Sequence, residues 1–387
     1  MISITKLVGG KAHWGDSLRY EGAPKDPLER RPVVVWTVTR RCNLRCVHCY
    51  ADSRDQAYPG ELDDAAARRM IADLAAFGCP VLLFSGGEPL MHPHLFDYIA
   101  LAKSKGLRPV VSTNGTLIDD RAAKRLVELG TAYVGISLDG LEAVNDRFRG
   151  KKGAFKEALR GVHACLKHGQ KVGLRLTLTK HTIADLEKIF GLIEREGIDR
   201  ACFYHLAYAG RGARLEDLDV SHEETRAAVE LIIEKAKQYA AQEPDKEILT
   251  VDNHADGPFL LMKMRAEAHP HAEEAYRLLQ HNGGNQSGIA IACIDNLGHV
   301  HADQFLWDFS FGNVTDRPFG DIWTDTSQRL LAGLKNRAPL IEGRCAPSNC
   351  RWFDLCNANL RARAYAATGN IWASDPACYL SDAEITP

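Results

Sequence analysis

The chain has 387 residues, of which 45% are hydrophobic and 25% charged, so it can bury a large core and hold one large domain beside a smaller one. The net charge is -2 and no long block of Lys or Arg is present, which argues against a nucleic-acid partner. No segment approaches the roughly 18 apolar residues of a membrane span, and the opening segment lacks the apolar run of a signal peptide. We therefore expect a cytoplasmic protein with no membrane partner.

From residue 33 onward, short β-branched apolar runs alternate with amphipathic segments of helical period. The runs predict six strands, at 33–38, 81–84, 109–113, 132–138, 171–179 and 200–207. The amphipathic segments predict helices near 61–77, 94–105, 119–129, 154–168, 184–196 and 221–241. This alternation predicts a parallel sheet in an α/β fold. Six units, fewer than the eight of a closed barrel, favour an open, partial (β/α)6 TIM-like barrel.

The composition along the chain predicts four parts. These are an N-terminal extension (1–31), the partial barrel (32–243), a connecting helical insert (244–286) and a small α+β C-terminal domain (287–387). Two alternating runs around Asn296 and Gly298 predict a β-hairpin in the last part, and a helix is expected near 318–335.

The eleven cysteines are not spread evenly. One group is Cys42, Cys46 and Cys49; a second group, in the tail, is Cys345, Cys350, Cys356 and Cys378. Because the cytoplasm keeps thiols reduced, clustered cysteines indicate metal or redox chemistry rather than disulfides. The others, Cys79, Cys165, Cys202 and Cys293, lie in or beside apolar segments and are expected to be buried free thiols.

The first cysteine group has no fourth cysteine nearby in sequence. A 4Fe-4S cluster normally takes four cysteine ligands, so three thiolates leave one iron open to a substrate or cofactor. The alternatives are a zinc site, completed by His48 or a remote residue, and a ferredoxin-type cluster with a fourth cysteine.

Unusual residues follow five of the six predicted strands. They are the first cysteine group, then Gly86, Gly87 and Glu88, then Asn114, then Asp139, and finally Arg211. Because the carboxyl ends of parallel strands meet at one edge of a barrel, these residues predict one shared site.

The segment "CNLRCVHCY", followed by "SGGEP" after the next predicted strand, resembles the motif pair of the radical S-adenosylmethionine (SAM) superfamily. The resemblance implies that Cys42, Cys46 and Cys49 are catalytic ligands of a 4Fe-4S cluster whose open iron binds SAM. It also implies that one electron from the cluster cleaves SAM to methionine and a 5'-deoxyadenosyl radical, which takes hydrogen from a substrate.

The same resemblance assigns residues to the SAM pocket. His48 would lie near the adenine, and Gly86, Gly87, Glu88 and Pro89 would bind the methionyl amine, since glycines allow close backbone approach and Glu88 has opposite charge. Asn114, Ser137, Asp139 and Arg175 would line the rest of the pocket. Taken alone, "STNG" could be a turn and "DG" at 139–140 a loop start.

The tail, with "FGNVTDRPFGDIW" before it, resembles the auxiliary-cluster extensions called SPASM and Twitch domains. It departs from the full pattern: Cys293 stands in the first-cysteine position, but no second cysteine follows it. One auxiliary cluster is therefore expected to be lost. The four tail cysteines would hold the other, giving two 4Fe-4S clusters in all. A four-cysteine zinc ribbon is the alternative.

Several segments, among them "RRPVVVWTVTRRCNLRCVHCY" and "YHLAYAGRG", resemble the tetrapyrrole-modifying branch of the superfamily. This implies removal of two acetates from 12,18-didecarboxysirohaem to give iron-coproporphyrin III in haem biosynthesis, with ferredoxin or flavodoxin as electron donor. The alternatives are propionate removal in haem d1 synthesis, a ribosomal-peptide maturase, and a non-enzymatic iron-sulfur electron carrier or redox sensor.

A carboxylated macrocycle needs cations, hydrogen-bond donors and apolar walls. The candidates are His205 and Tyr208 at the end of the sixth strand, Arg211 and Arg214 after it, and His301 as a ligand of the substrate iron. Surface arginines and a core histidine are the alternative interpretation.

Overall fold

The computed structural model describes residues 1–10, 17–20, 26–214, 216–242 and 246–387. Its strands, in chain order, are β1 (Ile2–Ser3), β2 (Val33–Thr39), β3 (Val81–Gly86), β4 (Arg108–Thr113), β5 (Tyr133–Ser137), β6 (Val172–Leu178), β7 (Arg200–His205), β8 (Glu247–Val251), β9 (Ile291–Ile294) and β10 (Val300–His301). They form one sheet in the order β1-β8-β7-β6-β5-β4-β3-β2-β9-β10.

The helices surround and extend this sheet. They are α1 (Ile4–Gly9), α2 (Ser17–Tyr20), α3 (Asp64–Phe77), α4 (Leu95–Ser104), α5 (Asp120–Glu128), α6 (Glu142–Arg149), α7 (Ala154–Lys167), α8 (Leu186–Arg195), α9 (His222–Ala240), α10 (Asp256–Ala266), α11 (Ala272–Asn282), α12 (Phe319–Trp323), α13 (Arg329–Lys335), α14 (Phe353–Cys356), α15 (Arg361–Thr368) and α16 (Asp382–Ile385). Within the described ranges, no helix has the length and apolar character needed to cross a membrane.

The predicted α/β partial barrel is confirmed. Neighbouring strands from β2 to β8 run parallel, and the six predicted strands coincide with β2 to β7. The sheet stays open, because antiparallel strands β1 and β10 form its two edges. The predicted hairpin is the pair β9 and β10.

Three elements differ from the sequence prediction. The segment expected to be a helical insert begins with β8, which pairs with β7 and continues the barrel sheet. Its short run "EILTV" follows polar residues, so it carried little strand signal. Helix α6 was missed because it is short and mostly polar, and the helix expected near 318–335 is two helices, α12 and α13. The expected boundary at 243–244 lies outside the described residues.

Helix α3 illustrates how local sequence sets the barrel's outer layer. The side chain of Asp63 caps its first turn by accepting a hydrogen bond from the Ala66 amide at 2.7 Å. The helix ends before Gly78, whose left-handed conformation (φ 87°) suits glycine. Met70 and Leu74 form its buried face, and burying each side chain contributes about 1.5–3 kcal/mol.

Successive side chains of β2 face alternately toward the hydrophobic core and toward a cavity inside the barrel. Val34 and Trp36 are buried against the helices, whereas Val33 and Val35 line a cavity inside the barrel. This period of two is the geometry of a strand with one face toward the helices and one toward the barrel interior.

Arg363, in a buried ion pair of the C-terminal part, links that part to the barrel. Arg363 and Asp375 lie 2.8 Å apart and both side chains are fully buried. The Arg363 guanidinium also donates to the carbonyls of Leu206 and Asp252, each at 2.7 Å, at the ends of β7 and β8. The Asn359 side chain accepts from the His254 amide at 2.7 Å, which adds a second link.

We expect Arg363→Met to lower the free energy of unfolding by about 3–5 kcal/mol, because Asp375 is left as an unpaired buried charge. Adding Asp375→Asn should restore part of the loss. Arg265→Met, which breaks an exposed pair with Glu273, should cost about 1 kcal/mol or less. Urea unfolding followed by circular dichroism measures all three variants; equal losses for Arg363→Met and Arg265→Met would contradict the assignment.

Candidate active site

The three cysteines of the loop after β2 lie together, as predicted. Cys42, Cys46 and Cys49 pack in one small cluster with Leu44 and Ala154. Backbone hydrogen bonds hold the loop: the Cys42 amide donates to Arg54 O at 3.0 Å, and the Val47 amide to Phe148 O at 3.0 Å. The loop is therefore fixed by its own end and by the end of α6.

Each sulfur of this group is approached by N–H donors. The Leu44 amide lies 3.4 Å from Cys42 Sγ, the Ser53 amide 3.4 Å from Cys49 Sγ, and an Arg149 Nη 3.6 Å from Cys46 Sγ. Such donors stabilise thiolates that ligate iron. The donor set fits a 4Fe-4S cluster held by three cysteines.

Burial opposes ionisation of two of these thiols, those of Cys42 and Cys46. It raises the pKa of Cys42 to about 12, and it also raises the pKa of Cys46. Because the thiolate is the metal ligand, a bound metal must displace these protons.

Gly86 and Gly87 let the β3 loop lie directly against the cysteine loop. A Cβ at Gly86 would lie 2.3 Å from Thr39 O, and one at Gly87 would lie 2.3 Å from Arg41 O. Gly86 also has φ 139°, which few other residues adopt. The Gly87 amide donates to Thr39 O at 2.8 Å and seals the contact. The two motifs therefore form one surface.

Glu88 lies under this surface. It is fully buried, and its carboxylate accepts from Thr113 Oγ1 at 2.7 Å, the Asn114 amide at 2.8 Å and the Leu90 amide at 3.1 Å. Burial raises its pKa to about 7 despite these donors. Glu88 thus ties the β3 loop to the β4 loop, and Pro89 begins the single turn that follows.

Asn114, at the end of β4, completes the surroundings of Cys42. Its Nδ2 donates to Asn43 Oδ1 at 2.9 Å and lies 3.8 Å from Cys42 Sγ. The structure thus places Asn114 beside Cys42, and its expected role in lining the SAM pocket stays a prediction.

Asp139 lies close to both Arg149 and His48. The buried Asp139 carboxylate forms an ion pair with Arg149 and accepts from the Thr177 amide at 2.7 Å. His48 Nε2 lies 3.7 Å from the same carboxylate, and its ring stacks on Phe148 with centroids 4.4 Å apart. Burial lowers the pKa of His48 to about 4, so the ring is neutral near pH 7.

Arg175 reaches across the barrel interior from β6. One Nη donates to Ser112 Oγ at 2.6 Å. With His48, Ser137 and Arg149, it lines one end of the cavity.

The cavity has a volume of about 380 Å³ and runs through the barrel to the C-terminal part. Its far wall includes Ser287, Asp303, Phe305 and Leu360. A cavity of this volume falls in the range of small-molecule sites.

The predicted substrate residues separate into two sets. His205 lines the cavity, whereas Tyr208, Arg211 and His301 are absent from its described lining. Tyr208 donates to Asp219 Oδ2 at 2.8 Å. The side chain of Arg214 lies outside the described residues.

Arg211 contacts the cysteine loop. Its guanidinium donates to Cys46 O at 2.8 Å, Asp52 Oδ1 at 2.7 Å and Ser53 O at 2.9 Å. The structure thus gives it a loop-holding contact that the sequence did not suggest.

His301 has both ring nitrogens near protein groups. Nδ1 lies 2.8 Å from Phe309 O and Nε2 lies 3.4 Å from Asp295 Oδ2. It pairs across the hairpin with Cys293, which is fully buried. This position differs from the one expected of a ligand of a substrate iron, because His301 is not among the described residues that line the cavity.

The tail cysteines also come together. Cys345, Cys350, Cys356 and Cys378 line one narrow cavity. The residues after Cys356 form its wall: Ala358 and Asn359 line the narrow cavity, and Leu360 lines the large one. Four converging thiols fit a fully ligated cluster. Among the residues described, no set of three or more His, Cys, Asp or Glu is arranged to hold a single metal ion.

The site also contains residues that were not predicted from the sequence. Tyr50, Arg149, Asp252 and His254 all line the large cavity. Tyr50 directly follows Cys49. Asp252 and His254 follow β8, so recognition of that strand would have indicated these two residues. No sequence signal indicates Arg149, which reaches the site from the end of α6.

Comparisons with known proteins agree with this geometry. The pattern of the radical SAM superfamily matches residues 36–193. The chain is 52% identical to Fe-coproporphyrin III synthase of Methanosarcina barkeri, in an alignment covering 100% of this chain and 99% of that protein. It is 41% identical to pre-heme d1 synthase of Dinoroseobacter shibae, covering 96% and 92%.

The fold is also found in solved structures. Streptococcus suis SuiB bound to S-adenosylmethionine superposes with a TM-score of 0.69 at 13% identity, covering 91% of this chain and 78% of that one. The geometry of the cysteine loop, the close approach of the adjoining glycines and the full-length sequence similarity all support the same family assignment. The chain therefore belongs to the radical SAM superfamily of enzymes, which use a 4Fe-4S cluster and SAM.

Proposed function

We propose that this enzyme removes two acetate side chains from 12,18-didecarboxysirohaem and so makes iron-coproporphyrin III, a step of haem biosynthesis. The observation that carries the proposal is the full-length 52% identity to a protein named for making Fe-coproporphyrin III. The 41% identity to a pre-heme d1 synthase makes propionate removal on a related tetrapyrrole the second candidate.

The walls of the large cavity suit a carboxylated macrocycle. Val35, Leu83 and Ile291 provide apolar surface, and Asn285 and Gln304 provide hydrogen-bonding groups. A flat ring with carboxylate arms requires both kinds of contact.

The proposal includes two 4Fe-4S clusters, one held by Cys42, Cys46 and Cys49 with SAM, and one held by the four tail cysteines. When bound, the first cluster and SAM would supply the one-electron chemistry by which hydrogen is abstracted from the substrate. We also propose a low-potential donor such as ferredoxin or flavodoxin as the source of electrons.

The chain's own residues organise the SAM end of the cavity. Arg149 holds the buried Asp139 and reaches Cys46 Sγ, so it couples the cysteine loop to the β5 loop. The neutral His48 ring is fixed by stacking on Phe148. Arg175 places a permanent positive charge on the cavity wall.

The substrate assignment predicts stepwise loss of two acetates. We expect the anaerobically reconstituted enzyme, given SAM and dithionite, to convert didecarboxysirohaem to iron-coproporphyrin III, which mass spectrometry detects. Intact didecarboxysirohaem despite formation of 5'-deoxyadenosine would favour haem d1 precursors or a peptide. Absence of 5'-deoxyadenosine would remove the enzymatic proposal.

Variants of the two cysteine groups should differ in their effect on SAM cleavage. We expect about eight iron atoms per chain, because each cluster has four. Cys49→Ser should lose about half of the iron and all SAM cleavage. Cys350→Ser should lose a similar amount and keep SAM cleavage. If the unmodified enzyme instead contained about four iron atoms and one zinc, the tail cysteines would form a zinc ribbon and not a second cluster.

Arg211 offers a test between loop support and substrate binding. Arg211→Lys loses the guanidinium's hydrogen bonds to the cysteine loop, so SAM cleavage should fall about 10-fold even without tetrapyrrole. Arg41→Lys, which alters an exposed pair on the same loop, is the matched control. Normal SAM cleavage with weakened tetrapyrrole binding in Arg211→Lys would instead place Arg211 on the substrate.

A further inference from the structure

His205 is a cavity side chain whose ring is held by a buried carboxylate. It ends β7 and lines the cavity. Its Nε2 lies 3.0 Å from Asp256 Oδ2, and Asp256 is fully buried at the start of α10. Tyr379 in the tail donates to Asp256 Oδ1 at 2.9 Å. A chain of hydrogen bonds therefore runs from Tyr379 through Asp256 to His205 at the cavity, and it connects three separate segments.

The direction of these bonds identifies the free nitrogen of His205. A carboxylate accepts, so Nε2 carries the proton shared with Asp256. Within the described part of the chain, Nδ1 has no hydrogen bond and is not among the fully buried atoms that lack a partner. Because the ring lines the cavity, Nδ1 is the nitrogen that a bound molecule meets. Because Nε2 keeps its hydrogen bond to Asp256 whether or not Nδ1 carries a proton, Nδ1 can take up a proton from solvent and pass it to a bound molecule.

The proposed reaction requires a proton at this place. Each acetate group is attached to a saturated ring carbon, and conjugation is restored when a hydrogen atom leaves the neighbouring ring carbon and the bond to CH2COO⁻ breaks. The electron left on the ring carbon and one electron of that bond form the new ring double bond. The departing CH2COO⁻ fragment keeps the other electron. It becomes CH3COO⁻ by gaining one electron and one proton.

We propose that His205 donates this proton from Nδ1, so that the released fragment leaves the cavity as acetate. Asp256 and Tyr379 are positioning residues that hold the ring. The electron comes from the low-potential one-electron donor that the reaction consumes, and solvent restores the proton on His205. This inference rests on the proposed function, which it deepens by naming the residue that completes the product.

Asp252 is the competing proton donor. It lines the same cavity after β8, and burial raises its pKa to about 6. Its backbone has φ 68°, a conformation that asparagine adopts readily. Asp252→Asn therefore removes the acid while preserving the local backbone.

The test uses the full-length reconstituted enzyme with didecarboxysirohaem, SAM and dithionite in D2O. Mass spectrometry of the released acetate should show one solvent deuterium in each molecule. His205→Gln keeps an amide that can donate to Asp256 but has no equivalent of Nδ1. Its acetate release should fall about 10²-fold or more, while tetrapyrrole binding and formation of 5'-deoxyadenosine persist.

The positioning residues are tested in the same assay. Asp256→Asn and Tyr379→Phe should slow acetate release less than His205→Gln does. Tyr239→Phe removes another tyrosine-to-carboxylate hydrogen bond, from the buried Tyr239 to Glu194 at 2.8 Å, and should not change the rate. Imidazole added to His205→Ala should restore release, which a purely structural role would not produce.

Three results would overturn the inference while leaving the proposed function intact. They are acetate without solvent deuterium, normal release by His205→Gln, and a loss in Asp252→Asn as large as that in His205→Gln. An unmodified enzyme that cleaves SAM and releases no acetate would remove the proposed function and this inference together.

Discussion

The close approach of two loops is the constraint on which the site depends. The Gly86 and Gly87 backbone lies so near Thr39 O and Arg41 O that neither position has room for a Cβ. This contact fixes the cysteine loop against the β3 loop, and Glu88 beneath it fixes the β3 loop against Asn114. Three strand ends are thus held together, β2 to β3 through backbone atoms and β3 to β4 through the Glu88 carboxylate, and these contacts fix the loop that carries the sulfurs.

The second constraint is the polar junction between the barrel and the tail. Arg363 holds the strand ends of β7 and β8 through their carbonyls and is neutralised by Asp375. Polar groups buried this completely require fixed partners, so the junction has few alternative arrangements. The cavity therefore has one wall from each part of the chain, held in a defined relation.

Much of this arrangement could be predicted because parallel strands bring their carboxyl ends together. The cysteines, Gly86 and Asn114 follow the strand ends that periodicity predicts, whereas Arg175 was indicated only by the resemblance to the radical SAM motifs. The tail cysteines were predicted from spacing. Arg149 was not, since its position depends on how the chain turns between β5 and α7, and periodicity carries no information about that turn. Asp252 and His254 were missed with β8, whose five residues are too few for a clear pattern.

The wall after Cys356 couples the two cavities. Adjacent residues of one short strip face different cavities, with Asn359 at the narrow one and Leu360 at the large one. Three consecutive residues of this strip, Asn357 to Asn359, have left-handed backbones, so an insertion or deletion there is poorly tolerated. A change that shifts the backbone of this strip would therefore alter the lining of the large cavity and the tail cysteine site at the same time.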